Sequence, residues 1–144
     1  MSVAGDIKAA ATTAITALAL TGSPAVVAAK TPILPSGKTP PAVRVACSRG
    51  GKCEPYDATR VVVTYTLTVG MYTSTTGETG DDDTIDTWRE AVNKAIDDRS
   101  TFASVSGFNE VFREEGTPYS AAGFDSGFNV SFLSFRCEVI EDRN

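Results

Sequence analysis

Val61-Val-Val-Thr-Tyr-Thr-Leu-Thr-Val-Gly-Met-Tyr72 is the stretch on which the fold of this 144-residue chain turns. Val61, Val63, Tyr65, Leu67, Val69 and Met71 fall on one side of a period-two repeat. Val62, Thr64, Thr66, Thr68, Gly70 and Tyr72 fall on the other. Strict alternation of β-branched and aromatic residues is the signature of a strand. One face of such a strand is buried; the Thr-rich face is solvated or covered by a partner. Its length makes it the central strand of a sheet.

Upstream, Val43, Val45 and Cys47 alternate with Arg44 and Ala46, predicting a shorter strand. Ser48 to Lys52 contains Gly50-Gly51, which predicts a hairpin turn because both residues accept positive φ. Residues 22–41 hold five of the seven prolines (Pro24, Pro32, Pro35, Pro40 and Pro41) and read as an extended arm. Ala25 to Lys30 inside it has the composition of a short edge strand. So long an arm is expected to reach over a neighbouring surface. In residues 1–21, Val3, Ile7, Ala11, Ile15 and Leu18 recur at helical spacing, with Gly22 and Pro24 as stop signals. The same region also reads as a signal peptide, since Lys8 precedes the weakly apolar Ala9–Leu20 and small residues follow. Asp6, Thr12, Thr13 and Thr16 favour the retained helix. No stretch reaches the roughly 18 apolar residues of a membrane span, so a soluble protein with no membrane partner is expected.

Downstream, Thr73 to Gly80 reads as a polar loop leading into Asp81-Asp82-Asp83. Three carboxylates suit a hard cation, yet the spacing is not that of an EF-hand loop. Capping by Asp83 or Thr84 of a helix from Thr84 to Arg99 is the better reading. Ile85, Trp88, Val92, Ala95 and Ile96 form that helix's apolar stripe. All seven Phe residues follow, between Phe102 and Phe135. Asn109–Glu115 is expected to be a strand and Gly116–Gly127 a loop. The last strand alternates Phe128, Val130, Phe132 and then Leu133, Phe135, Cys137, Val139. That change of phase predicts a β-bulge between Phe132 and Leu133.

The whole reads as one α+β domain over residues 1–144, in the order α-β-β-α-β-β. An antiparallel or mixed sheet of about four strands is expected, flanked by two helices. Chemistry is sparse. The chain has no His, which removes the commonest general base and the commonest metal ligand. It has no P-loop, dinucleotide fingerprint, nucleophile elbow or Cys-x-x-Cys. No enzymatic activity, cofactor or metal is expected. Three Cys are too few for a disulfide scaffold, and reduced thiols are the simpler reading; a Cys47–Cys53 bridge across a tight hairpin is the alternative.

Charge is more informative. The formal total is −5, but residues 31–60 carry five basic and two acidic groups. Residues 61–100 carry three basic and eight acidic groups, and residues 101–144 three and seven. Arg44, Arg49, Lys52 and Arg60 thus gather around the predicted hairpin, set against Asp81, Asp82 and Asp83. Such polarity suits a head-to-tail contact between copies, with Arg44, Arg49 and Lys52 on one and the three Asp on the next. Simple solvated charge fits it equally, and a nucleic-acid contact is the weaker reading, given four charges without interleaved aromatics.

A resemblance adds to this reading. The helix, Pro-rich arm, hairpin and long strand are followed by the helix Asp86-Thr-Trp-Arg-Glu-Ala-Val-Asn-Lys-Ala-Ile96. Phe128-Asn-Val-Ser-Phe-Leu-Ser-Phe-Arg-Cys-Glu-Val139 closes the chain's core elements. In size and order this resembles the small tail-terminator and neck proteins of tailed bacteriophages. The resemblance covers most of the chain and rests on element order. It implies a structural virion protein that forms a homohexameric ring. The ring terminates the tail tube and joins it to the head–tail connector, and DNA passes through its lumen without specific binding. It carries over no catalytic residues; the arm and the Gly-rich hairpin become the expected subunit or tube contacts. The competing reading is a secreted or periplasmic binding module, cleaved near Ala29 and bridged between Cys47 and Cys53.

Overall fold

The computed structural model describes residues 2–35, 37–38, 41–74, 81–114 and 128–142. Its elements are α1 (Val3–Ala17), β1 (Ala25–Ala28), β2 (Ala42–Pro55), β3 (Arg60–Ser74), α2 (Asp81–Asp97), β4 (Phe108–Glu114) and β5 (Phe128–Asp142). A single 3-10 turn, Arg99–Phe102, follows α2. The five strands form one sheet in the order β1-β2-β3-β5-β4. β1 is parallel to β2, and every other neighbouring pair is antiparallel. The architecture is α+β, with five strands where about four are expected; the fifth, β1, is the short edge strand that the composition of Ala25 to Lys30 allows.

β3 lies at the centre, as its alternation requires. Val63, Tyr65, Leu67, Val69 and Met71 are buried. They meet Val43 and Val45 of β2 and Leu133, Phe135, Cys137 and Val139 of β5 in one core. Both helices close over this face. α1 brings Ile7, Ala11 and Ile15, all fully buried, while α2 brings Ile85, Trp88, Val92 and Ile96. Ser2 caps α1 by accepting the Gly5 N–H at 3.0 Å. α1 ends earlier than Gly22. Ala19 takes a left-handed φ of 50°, which stops the helix and lets the next residue, Leu20, turn into the core. Two polar contacts fix α2 in place. Trp88 Nε1 donates to the Thr21 carbonyl at 3.1 Å, and Arg89 donates to Ser131 Oγ and to the Phe132 carbonyl.

Three expectations need correction. Gly50-Gly51 makes no turn: β2 runs straight through it, and a bulge between Arg49 and Cys53 absorbs the extra residues. Neither glycine has positive φ. A Cβ on Gly50 would stand 2.8 Å from the Thr64 carbonyl oxygen, so its bareness serves strand packing. The hairpin turns instead at Asp57-Ala58-Thr59. Asp57 Oδ1 accepts the backbone N–H groups of Thr59 and Arg60, at 2.9 and 2.8 Å. Second, β5 pairs with β3 in unbroken register from Phe128 to Asp142, so no bulge separates Phe132 from Leu133. The bulges are in the flanking strands β2 and β4. The phase changes because the second face is also covered at this end. Val130 packs there with Ala42 and Tyr72, against Leu34 and Phe132. Third, α2 starts at Asp81, so Asp81, Asp82 and Asp83 occupy its first turn and neither Asp83 nor Thr84 is the cap. The expected loops over residues 73–80 and 116–127 lie outside the described residues, apart from Thr73 and Ser74, which end β3.

Candidate functional site

The helices leave one face of the sheet open. It is built by the even-numbered positions of β3 and their cross-strand partners. Ser48, Thr66 and Arg136 stand in one row, and Ala46, Thr68 and Ser134 in the next. β4 adds Glu110, Phe112 and Glu114, paired with Glu138, Arg136 and Ser134. The centre is therefore a band of hydroxyl groups. Its β4 side carries an aromatic ring, 38% exposed, with the Arg136 guanidinium 4.4 Å above it. A shallow hollow lined by Lys52, Glu54, Val62, Thr64, Arg136 and Glu138 interrupts the face where β2 bulges.

The segment after β1 crosses this face at the opposite end. The Leu34 N–H donates to the Tyr72 hydroxyl at 3.0 Å, and that hydroxyl donates to the Pro32 carbonyl at 2.7 Å. Gly70 makes room for the crossing: a Cβ there would meet the Pro32 oxygen at 2.4 Å and the Phe132 ring at 3.1 Å. Burial is the main cause that raises the Tyr72 phenol pKa. Here the arm lies on its own sheet, although the sequence suggests that it reaches outward. Ile33 beside it remains 58% exposed.

The basic residues do not form one cluster. Arg44 pairs in register with Gly70, under the arm, and its Nε is buried. Arg49 lies opposite Tyr65 on the helix face and reaches Glu141 at 3.6 Å. Tyr65 also donates to Glu141; burial first and this bond second push the phenol pKa up to about 12. Lys52 pairs with Glu54 at 3.1 Å. Arg60 clasps Asp57 through Nε and Nη2, at 2.9 and 2.6 Å, and this hydrogen bonding holds the Asp57 carboxyl down at about 2. Glu141, which Arg49 reaches, is half-buried, whereas the Lys52–Glu54 and Arg60–Asp57 pairs are exposed, and pairs of that kind contribute little stability. They leave the cations open to exchange for another partner. The side chains of Asp81, Asp82 and Asp83 lie outside the described residues. Among the described residues, no three His, Cys, Asp or Glu side chains come together as a metal site.

All three cysteines are free. The Cys47–Cys53 bridge of the competing reading fails on geometry, because both residues lie on β2. In register they face Leu67 and Val63 of β3, four residues apart. About 13 Å of strand therefore separates them, roughly twice what a disulfide spans. Burial pushes the Cys47 and Cys137 thiols up to about 12, whereas Cys53 is exposed.

What sequence reasoning missed is the turn at Asp57 and the arm's anchorage. The first had a local signal, an Asp followed by small residues between two strands. The second had none, because Tyr72 lies 40 residues from Pro32. No protein-family model matches the chain, and neither does any curated protein.

Proposed function

We propose that this chain is a structural subunit of a homo-oligomeric ring, a tail-terminator or neck protein of a tailed bacteriophage virion. The observation that carries the reading is the sheet face left open by the helices. Its hydroxyl band is formed by Ser48, Thr64, Thr66, Thr68 and Ser134, and the strands that carry it are long. Such a face offers contact area, and Thr presents a methyl group and a hydroxyl together, suited to a partner protein's surface. Assembly supplies that partner, either the next copy or the tail tube and connector on either side of the ring. Val27, Ile33 and Tyr56, at 43, 58 and 51% exposed, are the further apolar contacts in this reading. A net charge of −5 suits a ring that DNA must traverse without adhering, because phosphate contacts are made by Lys and Arg.

Native mass spectrometry or light scattering tests the proposal. A defined oligomer, with six copies the expected number, is the predicted outcome; a strictly monomeric protein at high concentration rejects it. Thr66→Arg puts a charge in the middle of the open face. It is expected to weaken ring formation or tube attachment. Because Thr66 stands opposite Arg136, some loss of stability is also expected, and circular dichroism verifies that the variant is folded.

A further inference from the structure

Among the described residues, both outer edges of the sheet have a stretch with no further strand beside it, and the two stretches lie at the same height. The register carries Glu114 through Ser134 and Thr68 to Ala46, and Val111 through Cys137 and Tyr65 to Arg49. Phe108 is carried in the same way through Val139 and Val63 to Cys53. β4 thus spans the level of Ala46 to Cys53 on the far side of the sheet. Among the described residues, no strand pairs with β2 beyond Val45, where β1 stops, and β5 is the one strand that pairs with β4. From Ser48 to Pro55, β2 is exposed at every position except Gly50, which is half-buried.

Direction and facing also agree. Three antiparallel steps separate β2 from β4, so the two strands run in opposite senses. A copy placed beside the first, in the same orientation, therefore sets its β4 antiparallel to the open edge of β2. In that register Phe112 falls across from Ser48, both on the open face, and Val111 across from Arg49, both on the helix face. Strand pairing needs this match, since a slip of one residue would put every side chain on the wrong side. Glu110 falls at the level of the β2 bulge, beside Lys52, giving an acid on one edge and a base on the other. Its carboxylate accepts the Val111 N–H at 3.1 Å in the single chain and would give up that edge group on pairing. A bare edge of this length is a template for strand addition.

We infer that β4 of one copy adds to the Ala46–Cys53 edge of β2 in the next, antiparallel, with Phe112 opposite Ser48 and Glu110 facing Lys52. The contact joins two different surfaces, so it repeats head to tail and closes when the rotation between copies divides the circle. This rests on the ring reading and names the segments that join.

The experiment combines native mass with crosslinking. Cys53→Ser removes the exposed thiol, and Ser48→Cys with Phe112→Cys is placed in that background. Oxidation is expected to give a ladder of covalent oligomers on a non-reducing gel, absent with either Cys alone and collapsed by reductant. Lys52→Glu is expected to weaken association about tenfold, and adding Glu110→Lys to restore it. These positions lie on exposed or half-buried strand surface, and circular dichroism of each variant verifies the fold. An oligomer in the native mass, with no ladder and no response to Lys52→Glu, overturns the edge contact and leaves the ring standing. A monomer overturns both.

Discussion

Gly70, Tyr72 and Pro32 form a close backbone crossing, and a single added methyl group tests it. Gly70→Ala places a carbon within 2.4 Å of the Pro32 carbonyl oxygen, a backbone atom with little freedom to yield. The expected cost is about 1–3 kcal/mol in urea unfolding, read as a lower midpoint with an unchanged slope. Tyr72→Phe removes the hydroxyl that the Leu34 N–H and the Pro32 carbonyl share, at an expected cost of about 1–2 kcal/mol. Both substitutions loosen the same crossing, so the double variant should cost less than the sum; strict additivity would show that the arm is not held here. Thiol chemistry is equally local. Cys53 is exposed, while burial disfavours the thiolates of Cys47 and Cys137. One cysteine per chain should react rapidly with a thiol reagent in the native protein, and all three after denaturation. Cys47 reacting as fast as Cys53 would contradict the packing of β2.

Among elements, α1 bears the most on the choice between readings. Ile7, Ala11 and Ile15 have no exposed surface, and they cover Val43 and Val45. Cleavage near Ala29 would remove α1 and β1 together and open the core to water. Ile15→Ala is expected to destabilise the fold by about 2–5 kcal/mol, and deletion of residues 1–28 to abolish cooperative unfolding altogether. A truncated chain that kept a sharp transition would return the signal-peptide reading. Both helices and β3 were legible because amphipathic periodicity is a local property: Ile7, Ala11 and Ile15, like Val63, Leu67 and Val69, repeat at the period of their element. The path of β2 and the continuity of β5 were not. Gly50-Gly51 carries the composition of a turn, but Asp57 closes one better by accepting two backbone N–H groups and clasping Arg60. The apparent phase slip in β5 reflected a second buried cluster on the other face, around Val130, Ala42 and Tyr72.

At the scale of the whole molecule, pH dependence follows from which groups the fold buries. Cys47, Cys137 and Tyr65 have pKa values pushed up to about 12, and that of Tyr72 is also raised. A raised pKa means that the folded state favours the neutral form. The stabilisation is therefore full below the unfolded values, about 9 to 10, and is lost as pH climbs towards 12. With no His in the chain, thermal stability should be nearly level between about pH 6 and 8 and fall on the alkaline side. A melting temperature that changes sharply across neutral pH would show a buried titrating group not accounted for. Assembly belongs to this scale too. Replacing Arg49 and Lys52 together by Glu should shift native mass towards the monomer. The Lys52–Glu54 pair is exposed, whereas Arg49 reaches the half-buried Glu141, so Arg49→Gln with Lys52→Glu is the control that avoids setting two carboxylates together. Undiminished assembly would retire the basic end of β2 as an interface.

By itself, the sequence determined the α+β class, the central strand, the two helical stripes and the uneven charge. Each of these is written in residues close together along the chain, where period and composition act directly. Tertiary structure alone decided what lies across space. It laid the Pro-rich segment over Gly70 and divided the basic residues among Glu141, Glu54 and Asp57. Among the described residues, it also set the unpaired stretches of β2 and β4 at one height. These depend on strand register, which pairs residues dozens of positions apart and is fixed by burying one set of alternating side chains beneath the helices.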